Sequence, residues 1–240
     1  TLSINPILSY QSRYGERDRQ ARAGEIVFVS SGFKNIDEDI KGPRLGQFWV
    51  YFGDTNVGKS QAAIGVGSEN IITGFPTLHF NLEDQMDTAL QRYDARFTGI
   101  LYDKLTDANL TKEEKETTEK IYDLLKRRRE NFLYVSKVEE GATIRELFAE
   151  YKRLKITKNF HPSVIVLDSP HDMEPLNGTE NVRLGQRQLY REIRDFCRAE
   201  NVAVVAFDQS NQEAKGKVAD TSAASESYAK ARIVDGFITM

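Results

Sequence analysis

An eight-residue segment contains the residue types whose spacing is best suited to chemistry. It reads Gly53, Asp54, Thr55, Asn56, Val57, Gly58, Lys59 and Ser60, which fits G-x-x-x-x-G-K-[ST], the phosphate-binding P-loop. Glycines let the loop curl so that backbone N–H groups face the phosphates, and the following helix adds its positive dipole end. We therefore predict that Lys59 reaches the terminal phosphates of a nucleotide and that the Ser60 hydroxyl is a ligand of Mg²⁺.

Two carboxylates stand at the ends of predicted strands. Asp168 follows the apolar run VIVL, which is typical of a Walker B carboxylate that supports Mg²⁺ and its water. Glu83 ends TLHFNLE, where a carboxylate at the edge of a parallel sheet can orient the attacking water as general base. The alternative for this position is an N-cap of the next helix, a role that suits the adjacent Asp84 better. We predict Glu83 as the base.

An amide at a third strand end completes the predicted site. Gln209 closes VAVVAFDQ, and a neutral amide there can sense the γ-phosphate by hydrogen bonding. Asp208, beside it, is an alternative for this role, and a surface position at the start of a loop is another. Three histidines show no metal-ligand spacing, and His79 inside a strand is interpreted as a core residue.

Two long polar segments follow strands on the same side as the P-loop. They span residues 170–188 and 210–227, and long segments of this kind are often functional. Their cations could contact the phosphates of nucleic acid, and solvated loops without that role are the alternative. The candidate DNA-binding residues are Arg183, Arg187, Lys215 and Lys217.

Alternating strand and helix patterns predict how these residues are positioned. The predicted strands are EIVFVS (25–30), FWVYFG, TLHFNLE (77–83), NFLYVSK (131–137), SVIVLDS (163–169), VAVVAFDQ (202–209) and DGFITM (235–240). Helical stretches separate most of them, and one begins with Thr111 and Glu114 at capping-box spacing. We therefore predict an α/β fold with a mainly parallel central sheet and helices on both faces.

Length and composition favour one α/β domain. The chain has 240 residues, 40% of them hydrophobic, and a net charge of −3 that neither indicates nor excludes a nucleic-acid partner. The single cysteine, Cys197, cannot form an intrachain disulfide, which favours a cytoplasmic location. No apolar run is long enough to span a membrane. We expect residues 1–24 to be an arm or linker and residues 25–240 to be the domain.

Several of these segments resemble one known family. SGFKNIDEDIKG followed by GQFWVYFGDTNVGKS, then FNLEDQ, VIVLDS, FDQSNQ and DTSAASESYAKARIVDGFITM, are similar to motifs in the RecA-like ATPase domain of DnaB-type replicative DNA helicases. The layout looks closest to helicases of large phages. A departure is Ser169 and Pro170 after Asp168, where the family often has Tyr and Leu.

The resemblance implies a RecA-like P-loop NTPase that uses ATP and Mg²⁺. It also implies a homo-hexameric ring that moves 5′ to 3′ on single-stranded DNA, shares its active sites between subunits and contacts primase. The expected location is the cytoplasm of a bacterium or of a phage-infected host. The family's arginine finger is expected beyond Met240. The alternatives are a RecA- or KaiC-like ring or filament ATPase that does not unwind DNA, and a nucleotide-binding assembly scaffold.

Overall fold

Six parallel strands form one sheet. The computed structural model describes residues 27–240 apart from 130, 179–180 and 210–229, together with Gly15, Arg19, Arg22 and Ala23. The strands are β1 (Phe48–Gly53), β2 (Thr77–Asn81), β3 (Leu133–Lys137), β4 (Val164–Asp168), β5 (Ala203–Gln209) and β6 (Gly236–Thr239), in the order β3-β2-β4-β5-β1-β6. Every pairing is parallel, so the predicted fold class is confirmed.

Helices connect the strands and cover both faces. They are α1 (Lys34–Ile40), α2 (Lys59–Thr73), α3 (Met86–Thr98), α4 (Tyr102–Thr106), α5 (Lys112–Arg129), α6 (Ile144–Lys158) and α7 (Val182–Glu200). The Thr111–Glu114 capping box is confirmed, because each residue's N–H donates to the other's side chain. The short α4 was not predicted. Within the described ranges, no helix combines the length and apolar character needed to cross a membrane.

The path of α2 determines which residues can meet. It connects β1 to β2 along the chain, but β5 and β4 lie between these two strands in the sheet. The helix therefore packs across β5 and β4, and its first turn lies above the ends of those strands. On the opposite face, α6 and α7 pack against each other and α7 packs against β1 and β5.

Burial on both faces explains the near-continuous apolar strands. The odd-numbered Tyr51 and Phe207 stack with ring centroids 5.0 Å apart on the α2 face. Their even-numbered neighbours Phe52 and Ala206 belong to the core under α7. Cys197 lies in that same core and is fully buried.

The predicted strand at 25–30 is wrong for the part that the structure describes. Residues 27–30 form no strand, and Phe28 makes only an isolated antiparallel bridge. The reason is that Ser30 bonds to a side chain: its N–H donates to Asn70 Oδ1 at 2.8 Å and its carbonyl accepts from Asn70 Nδ2 at 2.9 Å. Asp37 accepts from the Ser30 hydroxyl and from the Ser31 N–H. This segment is therefore fastened to α2 and not to a neighbouring strand.

A close contact fixes α3 on α2. The Tyr93 hydroxyl bonds to His79 Nδ1 at 3.0 Å, and both side chains are buried. A Cβ at Gly67 would lie 2.1 Å from that hydroxyl oxygen. His79 is thus a core residue, as predicted, and burial lowers its pKa to about 3.

We expect Gly67→Ala to destabilise the fold by about 1–3 kcal/mol, because the Tyr93 ring must shift to admit the methyl group. Gly65→Ala is the matched control, since its added Cβ meets nothing within 4 Å, and helix propensity should stabilise it by up to about 1 kcal/mol. Urea unfolding of both variants measures the difference. Equal effects of the two alanines would contradict this account of the contact.

Candidate nucleotide site

The P-loop joins β1 to α2 at the carboxyl edge of the sheet. Gly53 ends β1, and a Cβ there would lie 2.6 Å from Val57 Cγ2. Asn56 and Gly58 have positive φ angles of 66° and 94°. Gly58 is the N-cap of α2 and offers no side-chain hydrogen bond to the first turn. The backbone donors of a helix N-terminus are suited to bind phosphate, so the predicted motif has the required local structure.

Lys59 is held at the mouth of this loop. Only 6% of the residue is exposed, and its Nζ donates to the carbonyls of Gly53 at 3.1 Å and Asp54 at 2.8 Å. The ammonium is therefore positioned by the loop backbone. A cation that is held in this way is placed to meet a negatively charged phosphate.

The crossover brings Ser60 to Asp168. The Ser60 side chain lies close enough to the carboxylate that ends β4 to lower its pKa. Asp168 is 2% exposed and its Oδ1 has no hydrogen-bond partner. Burial is the largest cause that raises the pKa of Asp168 to about 7; the nearby Ser60 hydroxyl opposes it, and the charges of Glu83 and Asp84 add to it.

These two groups fit a hydrated Mg²⁺. Hard oxygen donors suit this ion, which keeps several waters and is usually held by one or two carboxylates together with substrate phosphates. The unpartnered Oδ1 of Asp168 beside the Ser60 hydroxyl supplies such donors. Among the described residues, no group of three or more His, Cys, Asp and Glu side chains could hold a metal.

Glu83 lies in the bend after β2 and is exposed. Its loop is tightly held: the Leu82 N–H donates to the Asp168 carbonyl at 2.7 Å. The Lys137 ammonium donates to the carbonyls of Leu82 at 2.5 Å and Asp84 at 3.0 Å. The structure thus places the Glu83 carboxylate near Asp168 on a fixed backbone.

The alternative N-cap role of Asp84 is wrong. The N-cap of α3 is Gln85, without a side-chain hydrogen bond. Asp84 instead forms an ion pair with Arg92, which lies in the second turn of α3. Its backbone closes a turn with Asn81, whose side chain bonds both the N–H and the carbonyl of Asp84. The two adjacent carboxylates therefore differ: Asp84 is paired and Glu83 projects from the loop.

Gln209 ends β5 in register with Gly53. Because neighbouring residues of a strand point to opposite faces, Gln209 lies on the α2 face and Asp208 lies on the α7 face. Asp208 is fully buried there, where it accepts hydrogen bonds from Tyr190 and Lys230. The structure therefore separates the two candidates and leaves Gln209 beside the P-loop.

The candidate DNA-binding residues are only partly described. The predicted loop at 170–188 is wrong for residues 182–188, because α7 begins at Val182. Arg183 and Arg187 consequently lie in the first two turns of α7, at the same sheet edge as the P-loop, and Arg187 is exposed. Lys215 and Lys217 lie outside the described residues. Their role in binding DNA stays a prediction.

Sequence reasoning missed the residues that hold the Glu83 loop. Lys137 ends β3 in register with Asn81, and Arg92 faces Asp84 from α3. A polar residue at the end of a third parallel strand was the available signal for Lys137. No local pattern indicated Arg92, because its partner lies eight residues away.

Comparisons with known proteins found one matching family and similar solved structures. The family described as DnaB-like helicase C terminal domain matches residues 28–226. A solved structure described as an ATPase domain has a TM-score of 0.77 and 16% identity, covering 99% of this chain and 84% of that chain. A second is described as a DnaB-like replicative helicase and its interactions with primase. It has a TM-score of 0.72 and 14% identity; the match covers 90% of this chain and 51% of that one, about half its length. No curated protein matches.

The burial of Asp168 predicts a pH-dependent stability. Its pKa of about 7 lies above the ordinary 3.8, so between these values the folded state binds more protons than the unfolded state. The contribution of Asp168 to the free energy of unfolding therefore falls as pH rises through this window, by up to about 4 kcal/mol. Asp168→Asn should lack that fall.

Urea unfolding between about pH 4 and pH 8, without nucleotide or Mg²⁺, measures this difference across the titration window. The exposed Asp107→Asn serves as control. We expect the stability advantage of Asp168→Asn over the wild type to grow with pH, while the control follows the wild-type profile. Parallel profiles for Asp168→Asn and the wild type would contradict the raised pKa.

Proposed function

Because the chain belongs to the family of DnaB-like helicase C-terminal domains, we propose that it is the ATP-hydrolysing motor domain of a replicative DNA helicase. The single observation that supports the site is that Ser60 of the P-loop helix and Glu83 both lie near enough to the buried Asp168 carboxylate to shift its pKa. Phosphate-binding, metal-supporting and water-activating groups thereby converge at one sheet edge.

The P-loop binds the triphosphate of ATP. The N–H groups at the start of α2 and the Lys59 ammonium contact the phosphates, and the carbonyls of Gly53 and Asp54 orient that ammonium. Mg²⁺, when bound, neutralises charge on the phosphate oxygens. Ser60 and Asp168 would hold the hydrated ion, and its positive charge would favour the ionised form of the Asp168 carboxylate.

Glu83 accepts a proton from the attacking water. Its position on an anchored loop matters because a general base must stay within hydrogen-bond reach of the water. The amide of Gln209 contacts a γ-phosphate oxygen, since β5 ends beside the P-loop. Hydrolysis releases that contact, which makes the strand end sensitive to the nucleotide state.

The larger assembly is proposed on the same family membership. A homo-hexameric ring that encloses single-stranded DNA would share each ATP site between two subunits. Primase is a proposed partner, as named for one structural relative. The proposed location is the cytoplasm of a bacterium or a phage-infected host.

A strand-displacement assay on forks with a 5′ or a 3′ tail tests the proposed helicase function. ATPase activity with DNA stimulation but no unwinding would favour a RecA- or KaiC-like ATPase.

We expect Glu83→Gln to lower kcat for ATP hydrolysis by about 10²–10⁴-fold with ATP affinity retained, because the amide cannot accept the proton. Asp84→Asn is the matched control one residue away. It breaks the ion pair with Arg92 but leaves the base, so its kcat should fall far less. Steady-state phosphate release and equilibrium binding of ATP measure the two quantities. A larger loss in the control would assign the base to Asp84.

If α7 contacts DNA, removing one of its exposed cations should change how binding of single-stranded DNA depends on salt. If Arg187 contacts a DNA phosphate, Arg187→Ala should weaken binding of single-stranded DNA and lower the slope of log K against log salt by about 0.7. Lys112→Ala removes another exposed cation, from α5, and serves as control. Fluorescence anisotropy at several salt concentrations measures both slopes. An unchanged slope for Arg187→Ala would exclude the contact.

A further inference from the structure

A buried ion pair lies directly behind the end of β5. Lys230 Nζ donates to Asp208 Oδ2 at 2.9 Å, and the Tyr190 hydroxyl donates to the same oxygen at 2.5 Å. Asp208 is fully buried and Lys230 is 3% exposed. The pair lies on the α7 face, because Asp208 is in register with Phe52 of that core.

Packing alone does not account for this pair. Removing a carboxylate and an ammonium from water costs as much as their attraction returns, and apolar residues of similar volume often stabilise a core better. The Lys230 ammonium also lies 5.7 Å from the Phe52 ring centroid and 5.2 Å from that of Tyr190. These cation–π contacts further restrict its position. Both charges are therefore held in one geometry.

The second oxygen of Asp208 connects this geometry to the nucleotide side. Its Oδ1 accepts the N–H of Gln209 at 2.8 Å. A side-chain bond to the next backbone N–H sets the conformation of the chain where the strand ladder stops. Lys230 and Tyr190 bond to Oδ2 and so fix the plane of the Asp208 carboxylate. Because Oδ1 in that plane accepts the Gln209 N–H, the carboxylate also sets the orientation of Gln209 at the end of β5.

We propose that Lys230 is a positioning residue that acts through Asp208 to orient the γ-phosphate-contacting amide of Gln209. This inference rests on the proposed function of Gln209. Lys230 itself touches no phosphate, because it lies on the opposite face of the sheet. It acts by holding the Asp208 carboxylate in the orientation that accepts the Gln209 N–H.

A double-mutant cycle tests this coupling. The variants are Gln209→Ala, Lys230→Met and their combination, and the readout is the affinity ratio between a non-hydrolysable ATP analogue and ADP. We expect each single variant to lower this preference by the same factor within about twofold and the double variant to lower it no further. ADP affinity should stay within about twofold of wild type, because the P-loop is unchanged.

A matched control separates positioning from stability. Lys155 also pairs with a carboxylate, Glu200 at 3.3 Å, and lies 4.9 Å from the ring centroid of Tyr151. This pair lies at the amino edge of the sheet, because Glu200 ends α7 just before β5 begins. Lys155→Met should therefore lower the unfolding midpoint without changing the preference for the ATP analogue.

Lys230→Met leaves a buried carboxylate unpaired, so a second variant covers the case in which it does not fold. Tyr190→Phe keeps both charges and removes one donor to Oδ2. We expect a smaller loss of preference in the same direction, again without further loss in combination with Gln209→Ala. An unchanged preference in Tyr190→Phe when Lys230→Met does not fold would overturn the proposal.

The outcomes also distinguish this inference from the proposed function. Independent, multiplicative losses, or an equal loss of ADP and analogue affinity in Lys230→Met, would overturn the positioning role alone. If Gln209→Ala leaves the preference at its wild-type value, the proposed role of Gln209 fails and the inference fails with it. Loss of preference in both single variants with no further loss in the double variant supports both.

Discussion

The proximity of Ser60 to Asp168 depends on one topological constraint, which is the crossover of α2 over two strands. In a sheet where α2 led to an adjacent strand, Ser60 would not lie above β4. The order β2-β4-β5-β1 forces the helix to cross β5 and β4. Parallel pairing then puts every strand end at the same edge, so a P-loop from β1 meets a carboxylate from a strand two positions away.

This arrangement requires polar groups to be buried where the sheet ends. Asp168 lies almost entirely out of water, and its Oδ1 has no partner within the described part of the protein. An unpaired buried carboxylate is unfavourable, and the surrounding structure must compensate for it. The apolar strands supply that compensation, since β1, β4 and β5 are buried over nearly their whole length on both faces. The same sheet therefore supplies both the stable apolar core and the unfavourably buried Asp168 carboxylate at its edge.

Much of the fold followed from local patterns in the sequence. The strand at Val164–Asp168 was predictable because a parallel strand covered on both faces reads as a continuous apolar run. The same rule failed for the described residues 27–30 of the predicted first strand, where the chain is fastened by the side chains of Asn70 and Asp37. Those partners lie on other elements, and a short apolar segment carries no local sign of them. The site was likewise predictable as a set of polar residues at strand ends. The residues that hold the loop around Glu83 were not predictable, because Arg92 and Lys137 reach this loop only through tertiary packing. Arg92 pairs with Asp84, and Lys137 bonds the backbone of Leu82 and Asp84.

At the end of β5, strand alternation places two adjacent polar residues in two separate environments. Asp208 faces the core under α7 and Gln209 faces the P-loop, and the bond from the Gln209 N–H to Asp208 Oδ1 links the two environments. A strand end held only by its ladder would be free to turn beyond its last hydrogen bond. Here the fully buried Asp208 carboxylate, held by Tyr190 and Lys230, also bonds the N–H of the next residue and so restrains its backbone. That residue, Gln209, is the one that we propose contacts the nucleotide.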